Sequence, residues 1–405
     1  MIETQVALKY TVEELMEILL QYGFSTGGSF AIWRKPKSNK LEIILNENSK
    51  PAKTSIILEE LKPGFIVHPF ADQTDQKAFY IAAEKYWNLP LEIKISEEAL
   101  PAWLLQFIDE KSDLTPKQFD PIKTQGDFNP SGHAFLGDDK KHFVKLVAAG
   151  IEAIKAGTLE KVVPARTKHI KLNDDFDLAK SIYSMLIAYP NSFVNFFHIP
   201  GIGTWIGASP EVLIETKDNH FYTMSLAGTQ PAFGENPLKS AAWTQKEIEE
   251  QALVNRYIVD CFKKIRLREY EESGPKTVLA GTLLHLRSDF KVNMTATNFP
   301  QLGSVMLELL HPTSAVCGMP RKEAHDFLNR YEELDRSFFA GYIGPVNIGG
   351  ETSIYVNLRT ASLQNGEAIL YAGAGVTEDS DPDKEWEETE LKCQIIGKFL
   401  QNPEA

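Results

Sequence analysis

The chain has no closely spaced pair of cysteines. Cys261, Cys317 and Cys393 are scattered through 405 residues and no CxxC occurs. That excludes a zinc knuckle and a disulfide framework. Isolated thiols in odd number fit a reducing compartment, where a free cysteine is most often buried. Positive charge is also scarce: 42 Lys and Arg face 55 Asp and Glu, a formal net charge of −13. A nucleic-acid partner needs a basic face to displace phosphate counterions, and an anionic membrane surface needs one too. No apolar run is long enough to span a bilayer. The N-terminus lacks a basic segment followed by an uninterrupted apolar stretch, so the expected location is the cytoplasm. No short repeat or low-complexity tract is present.

What is present is the composition of a globular protein, 43% hydrophobic and 24% charged, able to bury a sizeable core. Thr11 and Glu14 form a capping-box pattern ahead of Leu15, Ile18, Leu19 and Tyr22 at helical spacing. Residues 30–33, 41–45 and 79–82 read as strands, and Pro116 to Pro130 as a loop or linker. A helix is expected from His142 to Gly157, then a strand at 161–163 interrupted by Pro164. Further strands are expected at 193–198, 204–206, 211–215 and 221–226, the last three as an antiparallel meander, and at 339–347, 352–361 and 367–373. Helices are expected at 178–188, 244–267, 298–310, 321–329 and 383–400. Elements in blocks, without strict βαβ alternation, favour α+β.

Glu247 and Glu250 lie three apart on one expected helix, and Glu385 and Glu388 repeat the spacing on the last. Each pair projects from one helix face. They read either as solvated surface or as an oxygen-rich site for Mg²⁺. Lys161 opens a strand, Arg359 stands in an apolar one, and Lys392 follows Glu388 by one helical turn. These read as ion-pair partners or as a carboxylate clamp. The turns Ala227-Gly228-Thr229 and Gly373-Ala374-Gly375 let backbone N–H groups approach an anion, or are ordinary turns. Glu211, behind Pro210, is a general acid if apolar surroundings raise its pKa. His311, before Pro312, is a polarising donor or a core histidine.

Taken together these segments resemble the chorismate-binding enzymes. The resemblance rests on LEKVVPAR (159–166), IGASPEVLIE (206–215), SLAGT (225–229), KEIEEQALV (246–254), LHPTSAVCGMP (310–320), ELDRSFFAGYIGPV (333–346), the strand around Arg359 and AGAGVTEDSDPDKEWEETELK (372–392). It implies an α+β fold of large antiparallel sheets flanked by helices. Residues 136–400 would form the catalytic region, and residues 1–135 would complete the same domain. It implies Mg²⁺ on Glu250 and Glu388, with Glu247 and Glu385 acting directly or through water. Arg359 and Lys392 would hold the enolpyruvyl carboxylate, while the backbone at Gly228, Thr229, Gly373 and Gly375 lines the substrate site. Within the family, Lys161 as base, Glu211 as acid and Ala227 in place of a nucleophilic lysine resemble the isochorismate synthases. A base there must be partly neutral, which requires surroundings that depress its pKa. The implied partner is chorismate alone, with no glutaminase subunit, in a monomer serving menaquinone, siderophore or other biosynthesis. Salicylate synthase, an anthranilate synthase large subunit and a non-catalytic chorismate-binding protein are the alternatives. Gln251 departs from the family, standing where a His usually follows the metal-binding Glu.

Overall fold

The computed structural model describes residues 8–70, 77–91, 94–110, 139–232, 236–280 and 283–401. The expected loop at 116–130 and the boundary at 135/136 lie outside them. The fold is α+β, built on two large antiparallel sheets. The first has eight strands, in the order Ala165–Lys171, Glu367–Gly373, Thr360–Gln364, Gly203–Ser209, Phe193–Ile199, Ser29–Arg34, Lys40–Asn46 and Lys85–Pro90. The second has nine: Glu271–Ala280, Leu283–Asn293, His220–Pro231, Val212–Lys217, Thr352–Val356, Tyr342–Val346, Gly64–His68, Ala78–Ala82 and Ala52–Thr54. Strands from before residue 91 therefore sit in both sheets.

Both faces of the first sheet are covered, so its central strands are buried along their whole length. In Ser29–Arg34 and Phe193–Ile199 every residue is buried. Their side chains still alternate between two cores. Phe30, Ile32, Val194 and Phe196 pack with the helices Val12–Ser25, Leu178–Ala188 and Pro382–Gln401. Ala31, Trp33, Phe193 and Phe197 belong to the core shared with the second sheet. Phe193 stacks on Tyr355 of that sheet with ring centroids 3.9 Å apart. The Thr11–Glu14 capping box is present, and all three cysteines are free and buried.

Two sheet assignments differ from the sequence reading, and both create the site. Residues 204–226 are not one meander. The strand ending at Ser209 belongs to the first sheet and the strand starting at Val212 to the second, so the chain crosses at Pro210-Glu211. Likewise 352–361 is two strands, one in each sheet, joined by Asn357-Leu358-Arg359. The two crossings run side by side. The Ala208 amide donates to Arg359 O (2.9 Å) and the Val356 amide to Glu211 O (3.1 Å). Arg359 takes φ 49°, the left-handed region that a bulky side chain enters at a cost.

Candidate active site

The two crossings form one wall of a cleft. Its lining includes Glu211, Ala227, Gly228, Thr229, Glu250, His285, Arg359, Gly373, Gly375, Glu388 and Lys392. Most of the sequence-derived candidates thus come together from six separate stretches of chain. The cleft encloses ≈ 60 Å³.

Lys161 lies directly behind this lining. It sits in a two-residue strand paired with Gly318–Met319. On its other side Val162 exchanges backbone hydrogen bonds with Val376 (3.2 and 2.8 Å). Pro164, with no N–H to give, interrupts the strand before Ala165 as expected. The following turn is fixed by a buried ion pair: Arg336 binds Glu332, Val163 O and Val316 O, and Glu332 accepts from the Ala165 amide. Lys161 is fully buried, and its Nζ meets Glu250 Oε1 at 2.9 Å.

Glu250 comes from the helix Gln245–Lys264. Burial alone would raise its pKa, but the Lys161 charge and hydrogen bond, with Lys246 and Lys392 nearby, bring it below the usual carboxylate value. From the last helix, Glu388 pairs with Lys392 (2.5 Å), whose Nζ also donates to Gly373 O (2.7 Å). Glu385 is 1% exposed and pairs with Lys246. Burial and then the Glu388 carboxylate push Glu385 up to about 7 even so. Its Oε2 is buried with no hydrogen bond of good geometry. Glu247 is turned toward the helix start, where its Oε2 accepts from the Thr244 amide (2.7 Å) and hydroxyl.

Among the described residues no three His, Cys, Asp or Glu side chains already converge as a cation cage. The donor chemistry nevertheless suits a hard divalent ion. Carboxylates from two helices face one another, one buried oxygen makes no hydrogen bond of good geometry, and ammonium groups lie among them.

Glu211 is different. It is 3% exposed, and among the described residues its carboxyl makes no ion pair. Burial pushes it up to about 8 against the pull of Lys161 and Arg359, so it holds a proton at neutral pH. Arg359 also makes no ion pair among the described residues. Burial lowers its pKa, with Glu388 and Glu211 opposing. Arg359 lines the cleft.

Sequence reasoning missed His285. It stands in the strand Leu283–Asn293, its Nδ1 bonds Gly228 O at 2.7 Å, and its Nε2 is buried without a partner. Burial drops its pKa to about 3, so Nδ1 is the donor and Nε2 carries a free lone pair. Gly228 takes φ 68°, and a Cβ there would meet Glu247 and Trp243 at 3.1 and 3.2 Å. His311 is not part of the lining. It packs edge-on against His68 and Tyr342, with Nε2 3.3 Å from Pro69 O, and burial takes it down to about 3. Gln251 points at the sheet, donating to Ser225 (2.8 Å) and Ser288 (3.4 Å). Its side chain thus serves the helix–sheet contact beside the site.

Comparison with known proteins agrees with this architecture. The family model described as "Chorismate binding enzyme" matches residues 83–401. The vibriobactin-specific isochorismate synthase of Vibrio cholerae is 29% identical over 244 residues, covering 59% of this chain and 61% of that protein. Isochorismate synthase DhbC of Bacillus subtilis is 28% identical over 295 residues, 69% of this chain and 73% of that one. The chain thus spans about three fifths of the length of the Vibrio relative. Among solved structures, a putative 2,3-dihydroxybenzoate-specific isochorismate synthase from Bacillus anthracis superposes with a TM-score of 0.71 at 22% identity, covering 96% of this chain and 99% of that one. MenF from Escherichia coli gives a TM-score of 0.69 at 20% identity, covering 92% and 89%. With its motifs gathered at one cleft and a family model matching most of its length, the chain belongs to the chorismate-binding enzymes.

Proposed function

We propose that the protein is an isochorismate synthase, interconverting chorismate and isochorismate. The observation that carries this reading is the placement of a buried carboxyl group and a buried lysine at one cleft. Glu211 is a buried carboxylic acid kept neutral by its surroundings, and Lys161 is a buried amine within its electrostatic reach. In its neutral amine form Lys161 takes a proton from water as the oxygen bonds to ring carbon C2. The ring double bonds shift, and Glu211 gives its proton to the C4 hydroxyl, which leaves as water. Atoms balance: one water enters, one leaves, and each residue is restored by exchange with solvent. Ala227 lines the cleft without offering an amine of its own, which favours water as nucleophile. Arg359 and Lys392 supply positive charge for the substrate carboxylates, Arg359 in bidentate fashion. Glu250 and Glu388, with Glu385 and Glu247 beside them, would hold Mg²⁺, which when bound supplies the charge that lets an acidic cleft take a dianion.

Incubation with chorismate and Mg²⁺, followed by chromatographic product separation, tests the reading. Isochorismate is expected, approached from either side, with and without ammonia. Salicylate with pyruvate, or anthranilate with ammonia, would move the chain to a sister activity. No turnover beside calorimetric binding would make it a binding protein. Glu388→Ala is expected to lower Mg²⁺-dependent turnover by at least about 10²-fold, and full activity in EDTA would remove the cation from the scheme.

Gly375 gives a more local test. A Cβ there falls 2.3 Å from Glu250 Oε1 and 3.2 Å from Lys161 Cε. Its φ is not positive, so only this close approach to the Glu250 carboxylate opposes a side chain there. Gly375→Ala must displace the Glu250 carboxylate. The expected result is a near-native melting temperature with kcat/KM down by about 10²-fold; unchanged kinetics would show that the Glu250 position is irrelevant.

A further inference from the structure

Lys246 sits in the surface-like run KEIEE at the start of a helix. The structure puts its ammonium on Glu385. Beyond that contact, its strongest charge partners are Glu388 and Glu250. One positive group therefore faces three of the four carboxylates assigned to the cation. We propose that Lys246 is a built-in competitor for the divalent cation, holding the carboxylate cluster together until the cation displaces it. This rests on the reading of Glu250, Glu385 and Glu388 as cation ligands.

Three lysines neutralise these carboxylates, and only one is placed to leave. Lys161 is enclosed, with no exposed surface. Lys392 is held a second time by Gly373 O at 2.7 Å and is 11% exposed. Lys246 has a single hydrogen-bonded partner and is 25% exposed. It also lies in the first turn of its helix, where the positive end of the helix dipole opposes an ammonium. Only the carboxylates hold it inward. A divalent ion on Glu385 and its neighbours cancels that attraction and adds repulsion, so the side chain swings to solvent as the ion enters.

The test uses the full chain and metal alone. Mn²⁺ and Mg²⁺ binding is measured by titration calorimetry on wild type, Lys246→Gln and Lys246→Met, without substrate. Lys246→Gln keeps an N–H donor for Glu385 and guards against a folding defect in the Met variant. Both variants are expected to bind the ion at least about tenfold more tightly, because no ammonium must be expelled. Removing any nearby charge would raise affinity somewhat, so a second readout follows the side chain itself. Acylation of Lys246, quantified by mass spectrometry on wild type, is expected to speed up severalfold when Mg²⁺ saturates, while Lys392 does not. Unchanged or weaker metal affinity in both variants, or Lys246 labelling that stays level or falls with Mg²⁺, overturns the proposal and leaves the cation site standing. Failure of wild type and both variants to bind either ion overturns the proposal and the cation site together.

Discussion

Lys161→Ala is expected to lower the turnover of chorismate by about 10³-fold, within the range a general base supplies. The loss should be equal in the two directions. In the proposed mechanism the same amine takes the proton from attacking water in one direction and returns it to leaving water in the other, so the equilibrium position stays where it was. Part of any deficit will come from structure. Lys161 is fully buried and meets Glu250 Oε1 at 2.9 Å, so the variant strands a carboxylate that is itself 15% exposed. Removing one partner of a buried pair costs about 3–5 kcal/mol when burial is complete; here partial exposure and the nearby Lys246 and Lys392 soften it. The two effects separate experimentally. A folding defect lowers the melting temperature and is relieved by Mg²⁺ when, as proposed, the ion takes over Glu250. Loss of the base persists at saturating Mg²⁺ and is relieved by a small primary amine that enters the space left by the side chain. Turnover within about tenfold of wild type at saturating Mg²⁺ would reassign the base.

The reach of sequence reasoning follows from what a side-chain pattern encodes. Burial and chain direction are written locally, so the Thr11–Glu14 cap, the helix it starts and the break at Pro164 were all readable. Sheet membership is not local. A strand covered on both faces reads as a continuous apolar run, which is why nothing between residues 204 and 226 revealed that the chain changes sheets at Pro210-Glu211. Arg359 gave no sign of its left-handed backbone, since arginine is not a residue that marks one. The edge strand Glu271–Ala280 is mostly exposed and lacked an apolar pattern to betray it. Among histidines, His311 drew notice through its neighbour Pro312. His285 sat unremarked in Leu283-Leu284-His285-Leu286, because its partner Gly228 is 57 residues away. The acidic pairs were legible as helix faces, and Lys161 and Lys392 as ion-pair candidates, but Lys246 and the long-range pairings were not: Lys161 and Glu250 are 89 residues apart, Lys246 and Glu385 139.

Glu211→Gln is expected to lower turnover by about 10²–10⁴-fold, because an amide fills the same space and has no acidic proton for the departing C4 hydroxyl. The acid assignment also fixes a pH dependence. Burial raises Glu211 from 4.5 to about 8, so the reactive, protonated form predominates at neutral pH and is lost as pH rises through about 8. Turnover should fall along that limb in wild type, with the residual rate of the glutamine variant showing no such limb. Stability should move the opposite way to the usual carboxylate. Below 4.5 the group is protonated whether the chain is folded or not, and contributes nothing. Between 4.5 and about 8 the unfolded chain releases the proton while the native state keeps it, so native stability declines with rising pH across that window. The full effect is on the order of 5 kcal/mol. Glu211→Gln removes the ionisation from both states. The variant should therefore match wild type in melting temperature below 4.5 and exceed it increasingly up to about 8. A variant that is inactive yet more stable at alkaline pH has lost a proton donor that the fold holds at a cost. One that is inactive and less stable across the whole range has lost a structural contact, and the acid must then be sought elsewhere in the cleft.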